Sequence, residues 1–512
     1  MAGSVNAGRF VLRAAFAGAV LFADVPAVAP AQSPGSPAER LGKVHFEISC
    51  SDRAQRAFDD AMALLHHMTY PRARVAFEQT EALDPRCAMA HWGVAMTLFQ
   101  PLWPTRPTPT DISRGRDEIL AARALGVRSA RERLFLEAGA AFFREPDSTE
   151  YWDRIGHWRE AMERVHAAYP EDDEASAWLA LATLAVPPAA GGAKAQADRA
   201  AELLLQVYRR NPEHPGAMHY LIHADDVPGR EHEQPDVVRR YQMLAPRNPH
   251  ALHMPTHIYT RLGEWQRVVD GNLRAAEAAR EHPVGEGLVW DEFPHAIEYA
   301  VYAYLQLGRN DEALAQIRRL QRTPHLEPTF KTAFHLASTA ARYALERRDW
   351  KAAAALAPRE PTSLDWDRFP WAEAVTWFAR GLGEAHLGEV EEARGARDRL
   401  TALEAAADRS GEALFARQIA VLRLELSGWL AQVEGRPDSA VALIRSAAEL
   451  ETATPKPAVT PAPTLPGYEL LGDLLLEQKR AADALAAYRR SLELYPRRRN
   501  STLGAARAER LR

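Results

Sequence analysis

Histidine is the residue whose distribution most invites chemistry. The chain holds 18 histidines, and nine fall between His214 and His295. Three segments carry most of them: HYLIHADD (219–226), HALHMPTHIYTRLG (250–263) and FPHAIEYAVYAYLQLG (293–308). His219 and His223 are four residues apart, so on a helix both project from one face. His253 and His257 repeat that spacing, and His250 extends the same face by a turn. Such a pair can offer two imidazoles to one metal ion, although it lacks the glutamate that serves as general base in HExxH. Pro255 lies inside the second pair and is expected to kink or start the helix there. Nitrogen donors without thiolate suit Zn²⁺, Cu²⁺, Fe²⁺ or Ni²⁺, and the sequence does not choose among them.

Carboxylates lie beside these histidines. Asp225-Asp226 and Asp291-Glu292 could serve a metal centre as ligands or bases, or could cap helices and face solvent. Asp226, three residues after His223, shares its side of a helix, whereas Asp225 points away. Two blander readings stand beside the metal: histidines that satisfy hydrogen bonds or pack against Tyr220, Tyr259 and Tyr299, and a polar groove that binds a peptide terminus. No GxSxG elbow, phosphate-binding glycine loop, GxGxxG or CxxC occurs, so hydrolase, kinase and dinucleotide readings have no anchor.

The elements that must position these residues are helices. Of 512 residues 47% are hydrophobic but only 8% aromatic, and helical periodicity runs from about residue 52 to the end. Short punctuation cuts it: Asp84-Pro85, Leu262-Gly263-Glu264-Trp265, Leu307-Gly308-Arg309-Asn310, Leu387-Gly388 and Glu434-Gly435-Arg436. The clearest unit is residues 467–496. Tyr468, Leu471, Gly472 and Leu475 share one helix, Ala484 and Tyr488 the next, and Pro496 ends it. A net charge of −5 argues against a basic nucleic-acid binder.

These positions resemble the tetratricopeptide repeat. The resemblance implies an all-α, right-handed helical-hairpin solenoid whose first helices line a concave groove that holds ligands. With Val268 and Ala313 at the small-residue position of successive second helices, His250, His253 and His257 fall at repeat positions 2, 5 and 9. His295 and Glu298 fall at 2 and 5 of the next repeat. His219, His223, His253, His257 and His295 are therefore the expected metal set. His250, Glu298, Asp226 and Tyr259 are expected to line the ligand groove. HFEISCS (45–51), CAMAHWGVAM (87–96), HYLIHADD and HALHMPTHIYTRLG also resemble a group of exported bacterial repeat proteins, largely without assigned function. His91-Trp92-Gly93 belongs to that pattern, and His91 is read mainly as a packing residue beside a small glycine contact.

Arg9 and Arg13 precede an apolar run from Val11 to about Leu21, and Ala29-Pro30-Ala31 offers a cleavage site, so residues 1–31 read as a signal peptide. No later stretch is apolar enough to span a membrane. The mature chain is expected in the periplasm or outside the cell, with its two cysteines, Cys50 and Cys87, joined as a disulfide. The expected organisation is degenerate repeats over 44–210, His-rich central repeats over 211–325 and long-helix repeats over 326–451. A Pro-rich linker over 452–466 then sets off a final repeat and cap helix over 467–512. PLWPTRPTPT (101–110) is a Pro-rich excursion, and 185–194 a loop. The function expected is binding of a peptide, protein or small ligand in the groove with a His-bound transition metal; the alternative is a metal-dependent oxidative or hydrolytic enzyme using the same histidines.

Overall fold

A computed structural model describes residues 39–103, 105–144, 150–188 and 191–512. Residues 1–31, expected to be a signal peptide, lie outside the described residues. From Arg40 to Arg512 the chain forms one compact unit. It is an all-α array of hairpins in which consecutive helices pack side by side: Asp52–His66 on Tyr70–Leu83, Ala130–Phe143 on Tyr151–Ala168, Trp265–Glu281 on Glu292–Gln306. Among the described residues β-pairing is limited to two isolated bridges, Val284 with Leu288 and Val289 with Leu326. No helix among them is long and apolar enough to cross a membrane.

Local chemistry sets the helix limits. Thr108 with Asp111 and Ser129 with Glu132 form reciprocal capping boxes that satisfy the first free amides of their helices. The hairpin turns end in left-handed residues: Gly263, Gly308, Gly388 and Gly435 all have positive φ. Gly263 is also pinned by packing, because an added Cβ would sit 2.7 Å from the Pro496 carbonyl oxygen. In the last hairpin, Gly472 lets Tyr488 lie against its backbone, where a Cβ would come within 2.7 Å of the ring. The helices Val390–Arg409 and Ala413–Val433 run 20 and 21 residues, longer than those of the terminal hairpin at 11 and 14.

Buried apolar residues gather into two cores, one mainly over residues 46–320 and one over 330–508. The chain's end ties them together. The Trp265 indole donates to the Arg497 carbonyl, and the Arg499 amide donates to the Gln306 side chain. Arg498, in the basic run that opens the last helix, is fully buried and pairs with Glu469 and Glu346. The segment 454–466 is irregular, as a linker would be, yet it is not open to solvent: Val459, Ala462 and Leu465 are buried, and it lies over the central helices. Its proline content denies it a regular ladder, so it is held through its carbonyl oxygens, with Arg342 donating to those of Ala462 and Pro463.

Cys50 and Cys87 form a disulfide that ties the segment before the first helix to the start of the helix Ala88–Met96, closing a loop of 37 residues. A loop of that length restricts the unfolded chain by about 4 kcal/mol. The double substitution Cys50→Ala/Cys87→Ala is expected to lower stability by roughly that amount, read as an earlier urea transition of tryptophan fluorescence; an unchanged transition would show that the bridge adds nothing.

Candidate metal centre

Six imidazoles from three successive repeats meet in the interior. His219 and His223 come from the helix Pro215–Asp225, whose N-cap is His214. His250, His253 and His257 come from the paired short helices Pro249–His253 and Pro255–Arg261. Met254 between them keeps helical angles, φ −52° and ψ −42°, so Pro255 removes an amide without redirecting the face. His295 comes from Glu292–Gln306. They form two sets, His219–His223–His250 and His253–His257–His295, and within each set one nitrogen per ring lies within 4.8 Å of the others. The sets abut: ring centroids are 6.0 Å apart for His250 and His253, and 6.1 Å for His223 and His257.

The hydrogen-bond network assigns the tautomers. His219 Nδ1 donates to the His66 carbonyl oxygen at 2.6 Å. His250 Nδ1 donates to Glu292 at 3.1 Å, and His257 Nδ1 to Asp226 at 2.8 Å. His253 Nδ1 lies 2.6 Å from Asn272 Oδ1, whose amide nitrogen must donate to the Val268 carbonyl oxygen, so the histidine is the donor here too. His335 Nδ1 donates to Glu298, leaving its Nε2 to accept from His295 Nδ1 at 3.0 Å. Five rings are thus held by Nδ1–H, and their Nε2 atoms carry the lone pairs. Those lone pairs face one another: His219 and His250 Nε2 are 3.0 Å apart, His253 and His257 Nε2 2.9 Å. His223 Nε2 and His295 Nε2 are buried without a partner.

Electrostatics keeps these rings neutral. Burial lowers the pKa of His219, His250, His253 and His295 well below the ordinary value, reinforced by neighbouring imidazoles. His223 is brought down to about 3 for the same reasons. His257 is lowered by burial against the opposing pull of Asp226. Burial alone would raise Asp226, but Lys456 and Arg261 outweigh it and hold the carboxylate ionised. Glu298 is likewise kept low by His335 and Arg342 against its own desolvation.

All five residues expected as metal ligands are in the cluster. His250, expected in the ligand groove, stands among the candidate ligands instead. Asp226 and Glu298 are not groove-lining groups: they sit behind His257 and His335 as hydrogen-bond acceptors. Tyr259 turns away, its ring 5.2 Å from the Arg267 guanidinium. Tyr299 takes the place beside the cluster, 4.7 Å from His253 and 5.1 Å from His257. Asp225 pairs with Arg230 and does not reach the histidines. His91 lies in a partly exposed group with Glu81 and Glu118 and takes no part. The residues not foreseen are His335, Asn272, Lys331, Arg342, Lys456 and Trp103. Tyr299 had a readable signal, being four residues after His295; His335 and Trp103 reach the site only through tertiary packing.

Both Pro-rich segments cover the cluster. From one side Lys456 reaches Asp226, and the Ala458 carbonyl accepts from the Tyr299 hydroxyl. From the other, the Trp103 ring packs 5.0 Å from His250 and 5.9 Å from His295. Beyond Trp103 opens a cavity of about 590 Å³ whose walls include Trp103, Glu292, Lys331, Tyr70, Phe330 and Phe415. The histidines are therefore covered where the repeat pattern predicts a groove, and the cavity opens beside them. A further group, His66–Glu174–His214, is fully satisfied: both rings donate Nε2–H to Glu174, and their Nδ1 atoms accept from the Tyr220 hydroxyl and the Ala217 amide.

No protein-family model matches the chain, and no curated protein matches it in sequence. Among solved structures it is similar to the human IFIT1 dimer with m7Gppp-AAAA, at 14% identity over 91% of this chain and 96% of that one, with a TM-score of 0.38. It is also similar to a tetratricopeptide repeat protein from Parabacteroides merdae, at 14% identity over 62% of this chain and 93% of that one, TM-score 0.29. Likenesses this distant transfer no ligand or activity; the hairpin architecture rests on the helix pairing itself.

Neutral buried imidazoles make the ion-free protein acid-sensitive. Their folded pKa values lie below the unfolded value near 6.5, so above that pH they cost nothing, and below it the unfolded chain takes up protons that the folded one refuses. Stability should fall by about 1.4 kcal/mol per pH unit for each such ring, continuing for His223 toward about 3. Chelator-treated protein is expected to lose urea resistance steeply between pH 6.5 and 5, and His223→Gln to flatten the slope by one ring's share. Equal slopes for parent and variant would refute the neutral state of His223.

Proposed function

We propose that this chain is an exported transition-metal protein that binds its metal through the central histidines and takes a peptide or small ligand in the adjoining cavity. One observation carries this reading. Two pairs of imidazole nitrogens face each other at 3.0 and 2.9 Å with their protons committed elsewhere. Two lone pairs at that distance repel unless a cation lies against both. Metal–nitrogen bonds of about 2.0–2.1 Å put two donors of a tetrahedral ion roughly 3.3 Å apart, close to the spacing found. Carboxylates behind coordinating histidines fix the tautomer and ring orientation, the role that Asp226 and Glu292 fill directly and Glu298 fills through His335. Among the described residues neither set includes a carboxylate, unlike the two-histidine, one-carboxylate set of Fe(II) oxygenases, and an all-imidazole set gives Cu²⁺ and Zn²⁺ the best fit. The disulfide is compatible with export.

A second reading, catalysis at the same centre, is favoured by the cavity. Its volume of about 590 Å³ falls in the range of small-molecule sites, and Trp103, Glu292 and Lys331 belong both to its wall and to the surroundings of the histidines. A scaffold needs only a wide polar surface; a sealed polar centre beside a chamber matches what a metal enzyme requires.

Elemental analysis of untagged protein is expected to find copper or zinc. Stripped protein should gain thermal stability on adding either ion, since a ligand that binds only the folded state stabilises it by mass action. His91→Ala should gain equally, and His219→Ala/His250→Ala/His253→Ala/His257→Ala not at all. Absence of metal from the parent, with no shift on adding Cu²⁺, Zn²⁺ or Fe²⁺, would overturn the proposal.

A further inference from the structure

The two histidine sets are built on one plan, used twice. Each takes a pair four residues apart, His219 with His223 from one helix and His253 with His257 across the two short helices joined at Met254. Each then takes one histidine from the next first helix along the array, His250 for the first set and His295 for the second. Each brings three nitrogens within 4.8 Å of one another. Each contains one facing nitrogen pair, at 3.0 Å between His219 and His250 and at 2.9 Å between His253 and His257. Each also contains one buried nitrogen without a partner, on His223 and on His295. The short helices around Pro255 serve both sets, supplying His250 back to the preceding pair and His253 and His257 forward to His295, so the sets touch along that element.

We infer that the centre is dinuclear: one transition-metal ion on His219, His223 and His250 and a second on His253, His257 and His295, with both ions open toward each other. This rests on the metal reading above but goes beyond it, because one ion would be enough for that reading. Six imidazoles around a single ion would leave no room for an exogenous ligand. Two groups of three each leave a vacant position, the arrangement of sites that act on a substrate. Productive metal pairs sit about 3.5–4 Å apart and clamp one ligand between them; the abutting rings of His250 with His253 and of His223 with His257 hold the two sets close enough to share one. The ligand class that follows is a small oxygen donor held between the ions, with the organic group in the cavity beyond Trp103.

The test is stoichiometry and magnetic coupling in the full chain, with Cu²⁺ as the probe. The parent is expected to bind two ions per chain. Loaded fully, it should show an electron paramagnetic resonance signal that is lost or broadened by coupling between the ions. His219→Gln/His250→Gln and His253→Gln/His257→Gln should each bind one ion and give the sharp signal of an isolated centre. His223→Gln and His295→Gln, which each remove one ring with its unpartnered Nε2, provide the same comparison with a single substitution, one ion in each variant then binding more weakly. A parent that saturates at one ion, with both double variants binding none, would overturn the dinuclear inference and leave the metal reading standing. A parent that binds no ion would overturn both.

Discussion

Much around the centre follows from fixing one proton on five of its six rings. An imidazole that donates through Nδ1 to an acceptor it cannot leave must present a bare Nε2 on its opposite edge. In this chain the acceptors are the His66 carbonyl, Glu292, Asn272, Asp226 and His335, and all sit outside the ring of histidines. The lone pairs therefore point inward by construction. A protein interior does not hold converging lone pairs at rest, since unpaired polar groups in a low-dielectric surround cost free energy. That cost is the reason to read the cluster as a site.

The acceptors bring a second constraint. Three of them draw on buried carboxylates, and a buried carboxylate needs a counter-charge. Each has one from an element distant in sequence: Asp226 from Arg261 and Lys456, Glu292 from Lys331, Glu298 from Arg342. Lys456 lies in the Pro-rich segment, and Arg342 holds that segment by the carbonyl oxygens of Ala462 and Pro463 and the Thr460 hydroxyl. Lys331 lies over the face of Trp103, 3.9 Å from the ring centroid, in the other Pro-rich segment. The covering segments are thus tied to the site by the charges that stabilise its carboxylates. A segment rich in proline cannot pair its backbone in a ladder, so its carbonyls are free to accept such bonds.

How much of this was legible follows from distance along the chain. The i, i+4 pairs and their first-helix register were readable because helix geometry fixes them locally. The hairpin architecture was readable from turns such as Leu262-Gly263 and from the small residues of the last repeat. His250 was placed in the groove because its register gives its side of the helix but not which neighbour it meets. Asp226 and Glu298 have the right side and the wrong depth: sequence places them near the histidines without telling a ligand from the group behind one. Tyr259, two residues after His257, faces away, whereas Tyr299, four after His295, shares the face; the same rule that found the histidine pairs distinguishes them. Composition marks residues 101–110 and 452–466 as irregular, but nothing local says what they cover.

The chain also carries its own contrast. His66, Glu174 and His214 are as buried as the central cluster and of ligand types, and they too lie within reach of one ion. There, a carboxylate stands where the second group of lone pairs would be. Burial would raise Glu174, but His66 and His214 outweigh it and hold it ionised, and the Trp178 indole adds a further donor. Every nitrogen of that group has a partner of the opposite hydrogen-bonding sense. In the central cluster, by contrast, five of the six rings use their partner of opposite sense at Nδ1, and His223 and His295 keep a buried Nε2 with no partner. Clustered histidines alone therefore do not make a metal site. The sense of their hydrogen bonds decides it, and that sense is fixed by residues such as Asn272 and His335, which no histidine pattern in the sequence would single out.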